Sequence, residues 1–208
     1  MTLKSCPRTC NYHRNTPQYE AAIWFLATTG VRFGEMIALR ACDVDLERGR
    51  ATISRNYIYL TKTPTLGTPK SGKSREISVP KIACEKIAPL VAMRAPDELI
   101  WQRPDGSPLP VSKTGGGWLE RAIKRAQADG KDIPRVTPHG LRHVAAGLMV
   151  SAGANVKVIQ RQLGHASAAM TLDIYTTLFD ADLDSVAVHV DGLFSEQDQD
   201  KTTASDAA

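Results

Sequence analysis

The residues of this chain that could carry out chemistry together are one tyrosine, two arginines and two histidines. Arg32 stands early in the sequence, His139 and Arg142 are three residues apart, and His165 precedes Tyr175 by ten residues. A tyrosine hydroxyl can act as a nucleophile, and two arginine forks match the non-bridging oxygens of a phosphodiester. This set of side chains indicates cleavage of a phosphodiester by a tyrosine, with no metal ion required.

The tyrosine would need help from its neighbours. A phenol has a pKa of about 10, so only about one in a thousand is ionised at neutral pH, and His139 could accept the phenol proton. Arg32 and Arg142 would stabilise the charge on the phosphoryl oxygens, which is the work of Mg²⁺ in other phosphoryl-transfer enzymes. Because His139 and Arg142 are three residues apart, a helix would place both on one face.

Helices must position most of these residues. Thr137 is a typical N-cap and Pro138 suits the first helical position, Gly164 ends another helix, and Ser167 can cap the helix that carries the tyrosine. Apolar side chains at helical spacing predict helices over residues 18–28, 35–40, 80–94, 118–129, 138–152 and 155–163.

A small sheet is predicted between the second and third helices. Residues 44–46, 51–53, 57–60 and 76–80 are rich in β-forming side chains, with a long polar turn at 61–75. A Pro- and Gly-bearing loop follows at 95–117. We therefore expect a mainly α fold with a small three-stranded antiparallel β-sheet (α+β).

The length of 208 residues fits one well-filled domain with a tail, or two very small domains. We expect a short amino-terminal extension at 1–17, a single catalytic domain at 18–194, and an acidic, disordered tail at 195–208.

Composition places the chain in the cytoplasm and away from membranes. There is no apolar run of about 20 residues and no secretory signal at the start. The four cysteines are therefore expected to be reduced. Cys6, Cys10 and His13 lack a fourth ligand at sensible spacing, so we expect no metal site and no cofactor.

Charge is distributed unevenly along the chain. The chain as a whole carries +4 and residues 180–208 carry −7, so residues 1–179 carry +11. A body this basic suits a polyanion, and nucleic acid is the obvious partner.

Several segments resemble the catalytic domain of tyrosine recombinases, the phage integrase family, in one unbroken order over about residues 18–180. The family boxes resemble residues 27–40, His139-Gly140-Leu141-Arg142-His143, Leu163-Gly164-His165 and Thr171-Leu172-Asp173-Ile174-Tyr175. The resemblance implies the catalytic set Arg32, Lys70, His139, Arg142, His165 and Tyr175.

The lysine of this set lies in the turn at 61–75, where the family places one. Lys70 would protonate the leaving 5′-oxygen, and general acid catalysis of this kind is typically worth about 10²–10⁴-fold. Lys62 and Lys73 occupy the same turn, and Lys73 is the main alternative. His165 would donate a hydrogen bond to a non-bridging oxygen.

The resemblance implies a site-specific DNA recombinase that works through a covalent 3′-phosphotyrosine intermediate, for integration or excision of a phage or mobile element. Double-stranded DNA, a homo-tetramer on synapsed DNA and accessory DNA-bending proteins would be its partners, and no ATP is needed. The apolar stretch 178–194 would pack on a neighbouring protomer or fold back on its own domain.

Two alternatives remain at the level of sequence. A type IB topoisomerase uses a similar constellation to relax DNA, and a catalytically inactive integrase remnant would only bind it. The family's amino-terminal helical domain, which closes a clamp around DNA, has no counterpart in the 17 residues before the first predicted helix, so we expect a fragment, a truncated gene or a minimal form.

Overall fold

A computed structural model describes residues 16–59, 64–69, 72–110, 117–165 and residue 167. Every element in it belongs to the first of the two units into which the chain divides, Met1–Ala166. The helices are α1 (Thr16–Thr29), α2 (Phe33–Met36), α3 (Lys81–Ala92), α4 (Trp118–Ala128), α5 (Pro138–Ser151) and α6 (Val156–Leu163). The strands are β1 (Val44–Asp45), β2 (Arg50–Ile53), β3 (Asn56–Ile58), β4 (Thr65–Gly67) and β5 (Arg75–Ser78).

The predicted fold class, mainly α with a small antiparallel sheet, is confirmed. In the described ranges, no helix has the length and apolar character that crossing a membrane requires. The predicted helix of Tyr175, residues 1–15 of the predicted extension at 1–17, and the predicted tail at 195–208 lie outside the described residues.

The three-stranded sheet has the order β1-β2-β5, and both pairings are antiparallel. The predicted middle strand is wrong in its second half, because Asn56–Ile58 leaves this sheet and pairs with Thr65–Gly67 in a separate two-stranded sheet. Arg55 explains the break, since its Nη2 donates to the Ala38 carbonyl and to the Asp43 carboxylate, each at 2.8 Å. The chain is thereby turned away from β2 after Ile53.

The predicted helix at 35–40 is also shorter than expected. α2 ends at Met36, and a separate 3-10 turn follows at Ala41–Asp43. The carboxylate of Asp43 accepts from the backbone N–H of Arg40 at 2.9 Å and from its guanidinium at 3.0 Å. These bonds cap the start of the new turn.

The core is built around α1, which is apolar on most of its surface. Ala21, Ala22, Phe25 and Leu26 are at most 1% exposed, and the helix packs against α5 and α3. The Phe25 ring lies 5.0 Å from that of the buried Trp101. Full burial of a side chain the size of Phe25 or Leu26 contributes about 1.5–3 kcal/mol, so α1 is firmly anchored in the core.

Candidate active site

Three of the predicted site residues line one pocket of about 280 Å³. Arg32 stands at the N-cap of α2, and His139 and Arg142 lie at the start of α5. Val31 and Phe33 complete part of the wall. Thr137 caps α5 as predicted, and its hydroxyl accepts from the backbone N–H of Gly140 at 3.0 Å. The positive end of the helix dipole therefore faces a pocket that already carries two guanidinium groups.

Arg142 is held by two backbone carbonyls from distant parts of the chain. Its side chain is buried, with the residue 6% exposed. Nη1 donates to the Gly30 carbonyl at 2.6 Å, and Nη2 donates to the Leu163 carbonyl at 2.8 Å. Gly30 has a φ of 69°, a conformation that favours glycine. The guanidinium plane is therefore fixed by the end of α1 and the end of α6.

Arg32 is held by a carboxylate that the sequence prediction did not include. Glu35 has a fully buried side chain and accepts from Arg32 twice, from the backbone N–H at 3.0 Å and from Nη1 at 3.1 Å. It also accepts from both terminal nitrogens of Arg75, at 3.1 and 2.7 Å. One carboxylate thus orients two guanidinium groups, one of which lines the pocket.

The charge state of Glu35 follows from these contacts. Burial of the carboxyl would raise its pKa, but the hydrogen bonds and charge of Arg75, with those of Arg32, outweigh burial and hold the pKa below its usual value. Glu35 is therefore ionised in the folded protein at neutral pH.

Sequence reasoning missed Glu35, Arg75 and Gln162 as supporting residues. Gln162 is buried on α6, where its side-chain amide exchanges two hydrogen bonds with the backbone of Ser78 and donates to the Thr29 carbonyl at 3.2 Å. The spacing of Arg32 and Glu35, three residues apart at the start of a helix, was the available signal. The contacts of Arg75 and Gln162 join segments far apart in sequence, and no local pattern indicates them.

The two histidines of α5 contact each other edge to face. The ring centroids of His139 and His143 are 4.7 Å apart, with an angle of 86° between the planes. Burial, then the charges of His143, Arg142 and Arg32, lower the pKa of His139 below its usual value. A neutral His139 at physiological pH is able to accept a proton.

His165 follows α6 and lines a second, neighbouring pocket of about 230 Å³. Burial lowers its pKa to about 4, and the charges of Arg142, Arg32 and Arg75 add to the effect. Nη2 of Arg32 donates to the Gly164 carbonyl at 3.3 Å, so the two pockets share a wall. A neutral imidazole there can donate one hydrogen bond without adding charge.

The structure does not describe the remaining two predicted catalytic residues, Lys70 and Tyr175. Lys73, the alternative lysine, is described and lines the second pocket rather than the first. The choice between the two lysines stays a prediction.

The family model for the "Phage integrase family" matches residues 3–182. The chain belongs to the phage integrase family. Similar family members include the transposase from transposon Tn916 of Enterococcus faecalis, 29% identical over 195 residues that cover 88% of this chain and 47% of that protein. Prophage integrase IntR of Escherichia coli (strain K12) is 30% identical over 180 residues, covering 74% of this chain and 42% of that protein.

Solved structures of tyrosine recombinases and integrases share the fold. The Tn1549 transposon integrase in complex with circular intermediate DNA superposes with a TM-score of 0.70 at 24% identity, covering 88% of this chain and 62% of that one. The XerA recombinase superposes with a TM-score of 0.60 at 26% identity, covering 84% and 58%. The chain spans about half the length of the curated relatives that it matches.

Proposed function

We propose that this chain carries the catalytic machinery of a site-specific DNA recombinase, which cuts and rejoins strands through a 3′-phosphotyrosine intermediate. The observation that carries the proposal is the meeting of Arg32, His139 and Arg142 at one pocket in a member of the phage integrase family. The names of the relatives, which are integrases, a transposase and recombinases, support recombination over relaxation of DNA by a topoisomerase. Double-stranded DNA is the proposed substrate, and a homo-tetramer on two paired sites is the proposed assembly.

In the proposed reaction, the oxygen of Tyr175 forms a bond to the scissile phosphorus and the bond from phosphorus to the 5′-oxygen breaks. His139 accepts the phenol proton, and its lowered pKa keeps it able to do so at neutral pH. Lys70 gives a proton to the leaving 5′-oxygen. Attack by a 5′-hydroxyl of another strand reverses these steps and rejoins the DNA.

The transition state is stabilised by side chains alone in this proposal. Arg32 and Arg142 face the two non-bridging oxygens, and preorganisation by Glu35 and by the carbonyls of Gly30 and Leu163 means that neither guanidinium has to reorient. His165 adds one neutral hydrogen bond. Because the phosphotyrosine conserves the bond energy, no ATP takes part, and because the two guanidinium groups supply the positive charge, no metal ion is needed.

The test is to trap the covalent intermediate on nicked candidate attachment-site DNA, with EDTA present. Wild-type protein should form a denaturation-resistant adduct, and Tyr175→Phe should form none while keeping its DNA affinity. Tyr19→Phe is the matched control and should form the adduct normally. The Tyr19 ring stacks on that of Trp118, with the ring centroids 4.9 Å apart, and neither residue lines the pocket. An adduct with Tyr175→Phe, or a strict need for a divalent metal, would refute the proposal.

A further inference from the structure

Apart from His165, the second pocket is lined by cations that take no step in the reaction above. On one side are Lys73, from the β4–β5 connection, and Arg75, the first residue of β5; on the other is α6, which supplies Lys157 and Arg161. No acidic side chain stands among the described residues that line it. Arg75 bonds to the Glu35 carboxylate, but that carboxylate is shared with Arg32 of the first pocket. The pocket therefore carries a strong positive potential.

Local stability does not account for the two cations of α6. Lys157 and Arg161 are exposed and four residues apart, so they share one helix face, where like charges repel and weaken the helix. Lys157 also lies in the first turn, after the N-cap Asn155, where the helix dipole disfavours a cation. The dipole favours only Arg161, in the last turn. An anionic ligand would offset the repulsion.

The position of the pocket indicates which anion it takes. Arg32 lines the first pocket and donates to the Gly164 carbonyl, which belongs to the second. Gly164 has a φ of 69°, and a Cβ there would lie only 2.6 Å from the guanidinium carbon of Arg75. Glycine is therefore required for α6 to approach Arg75 this closely, and the approach brings the two pockets side by side. A polymer of phosphodiesters could occupy both pockets at once.

We infer that the second pocket binds one phosphate of the DNA backbone beside the scissile phosphate, with Lys157 and Arg161 as its principal cations. This inference deepens the proposed function by assigning a second phosphate contact to the same substrate. Lys73 contributes charge from the opposite wall. Binding there would fix the register of the strand, so that the scissile phosphate is presented to Arg32 and Arg142.

The test is the salt dependence of binding to a short fluorescein-labelled duplex of random sequence. Fluorescence anisotropy gives the affinity of the full chain in potassium chloride from about 50 to 200 mM. Removing one phosphate contact should reduce the slope of log K against log salt by about 0.9. We expect this change for the double variant Lys157→Gln/Arg161→Gln. The control Arg48→Gln/Lys81→Gln removes the same charge from exposed positions outside both pockets and should keep the wild-type slope.

Folding is checked separately, by urea denaturation of the same proteins. The midpoint of the Lys157→Gln/Arg161→Gln variant should equal or slightly exceed that of the wild type, because a like-charge pair has been removed. The inference would be overturned if the Lys157→Gln/Arg161→Gln variant kept the wild-type salt slope, or if the control lost as much slope as this variant. It would also be overturned if the wild type failed to bind the duplex.

The adduct assay separates this inference from the proposed function. If the slope is unchanged but the Tyr175-dependent adduct forms, the phosphate site is wrong and the recombinase stands. If the slope falls but no adduct forms, the phosphate site stands and the catalytic proposal fails.

Discussion

Replacing Glu35 by glutamine tests whether the buried carboxylate holds the site together. The substitution keeps the shape but removes the charge, and it places an N–H₂ group where an oxygen accepted from the arginines. Arg75, whose side chain is 8% exposed, would then be left as an unpaired buried cation. Breaking a buried ion pair on one side typically costs about 3–5 kcal/mol. For a chain of this size, that loss corresponds to a fall of roughly 10 °C in the melting temperature.

The measurement is urea and thermal denaturation followed by circular dichroism. Glu85→Gln is the matched control, because Glu85 lies exposed on α3, and it should change the unfolding free energy by less than about 0.5 kcal/mol. A double variant, Glu35→Gln/Arg75→Gln, should recover part of the lost stability, since the uncompensated charge is gone. It should not recover cleavage, because Arg32 still lacks its carboxylate partner.

The effect should also depend on pH in a defined direction. The folded-state pKa of Glu35 is held below the ordinary value of 4.5, so the stability it contributes is present above pH 4.5 and lost as the pH falls through the folded pKa. The difference between wild type and Glu35→Gln should therefore shrink below pH 4.5. Equal urea midpoints for Glu35→Gln and Glu85→Gln at neutral pH would refute this account of the site.

Three further substitutions test other parts of the site. Gly30→Ala should destabilise the protein by more than about 1 kcal/mol, because φ is 69° and the new Cβ would collide with the Leu163 side chain. Its control, Gly147→Ala, lies inside α5 with nothing within 4 Å of the new Cβ, and it should stabilise the protein by about 0.5–1 kcal/mol. A higher unfolding midpoint for Gly30→Ala than for Gly147→Ala would contradict this prediction. Arg142→Lys should slow adduct formation by about 100-fold or more, because one ammonium cannot reproduce the fork that reaches two carbonyls; a rate near that of the wild type would show that the fork is dispensable. Because the folded pKa of His165 is depressed to about 4, the wild type should lose stability as the pH falls from 6.5 towards 4. His165→Asn should not show this loss, and parallel curves of stability against pH for the two proteins would contradict the depressed pKa.

Local signals were sufficient to predict α5 and α6, two of the helices at the site. Thr137 and Pro138 predicted the start of α5, and Gly164 predicted the end of α6. Such predictions succeed because helix capping depends only on the residues at and next to the helix end. The meeting of Arg32 with His139 and Arg142 could be anticipated only through the family resemblance, since no local rule relates positions more than one hundred residues apart.

The missed features share a physical cause. The β3–β4 hairpin depends on the bend that Arg55 imposes after β2, and Arg55 acts through Asp43, twelve residues earlier. The pairing of Glu35 with Arg75 spans 40 residues. In both cases the contact is made by a largely buried arginine, Arg55 or Arg75. The sequence around an arginine does not indicate whether its side chain will be buried.

The two carbonyls that hold Arg142 have a consequence for the order of events during synthesis of the chain. Gly30 emerges from the ribosome 112 residues before Arg142, and Leu163 emerges 21 residues after it. Both of these carbonyls are therefore in place only when α6 has been made and has docked on the rest of the fold. A nascent chain without α6 therefore cannot hold Arg142 in the orientation that it has in the first pocket, and the pocket is completed late in synthesis.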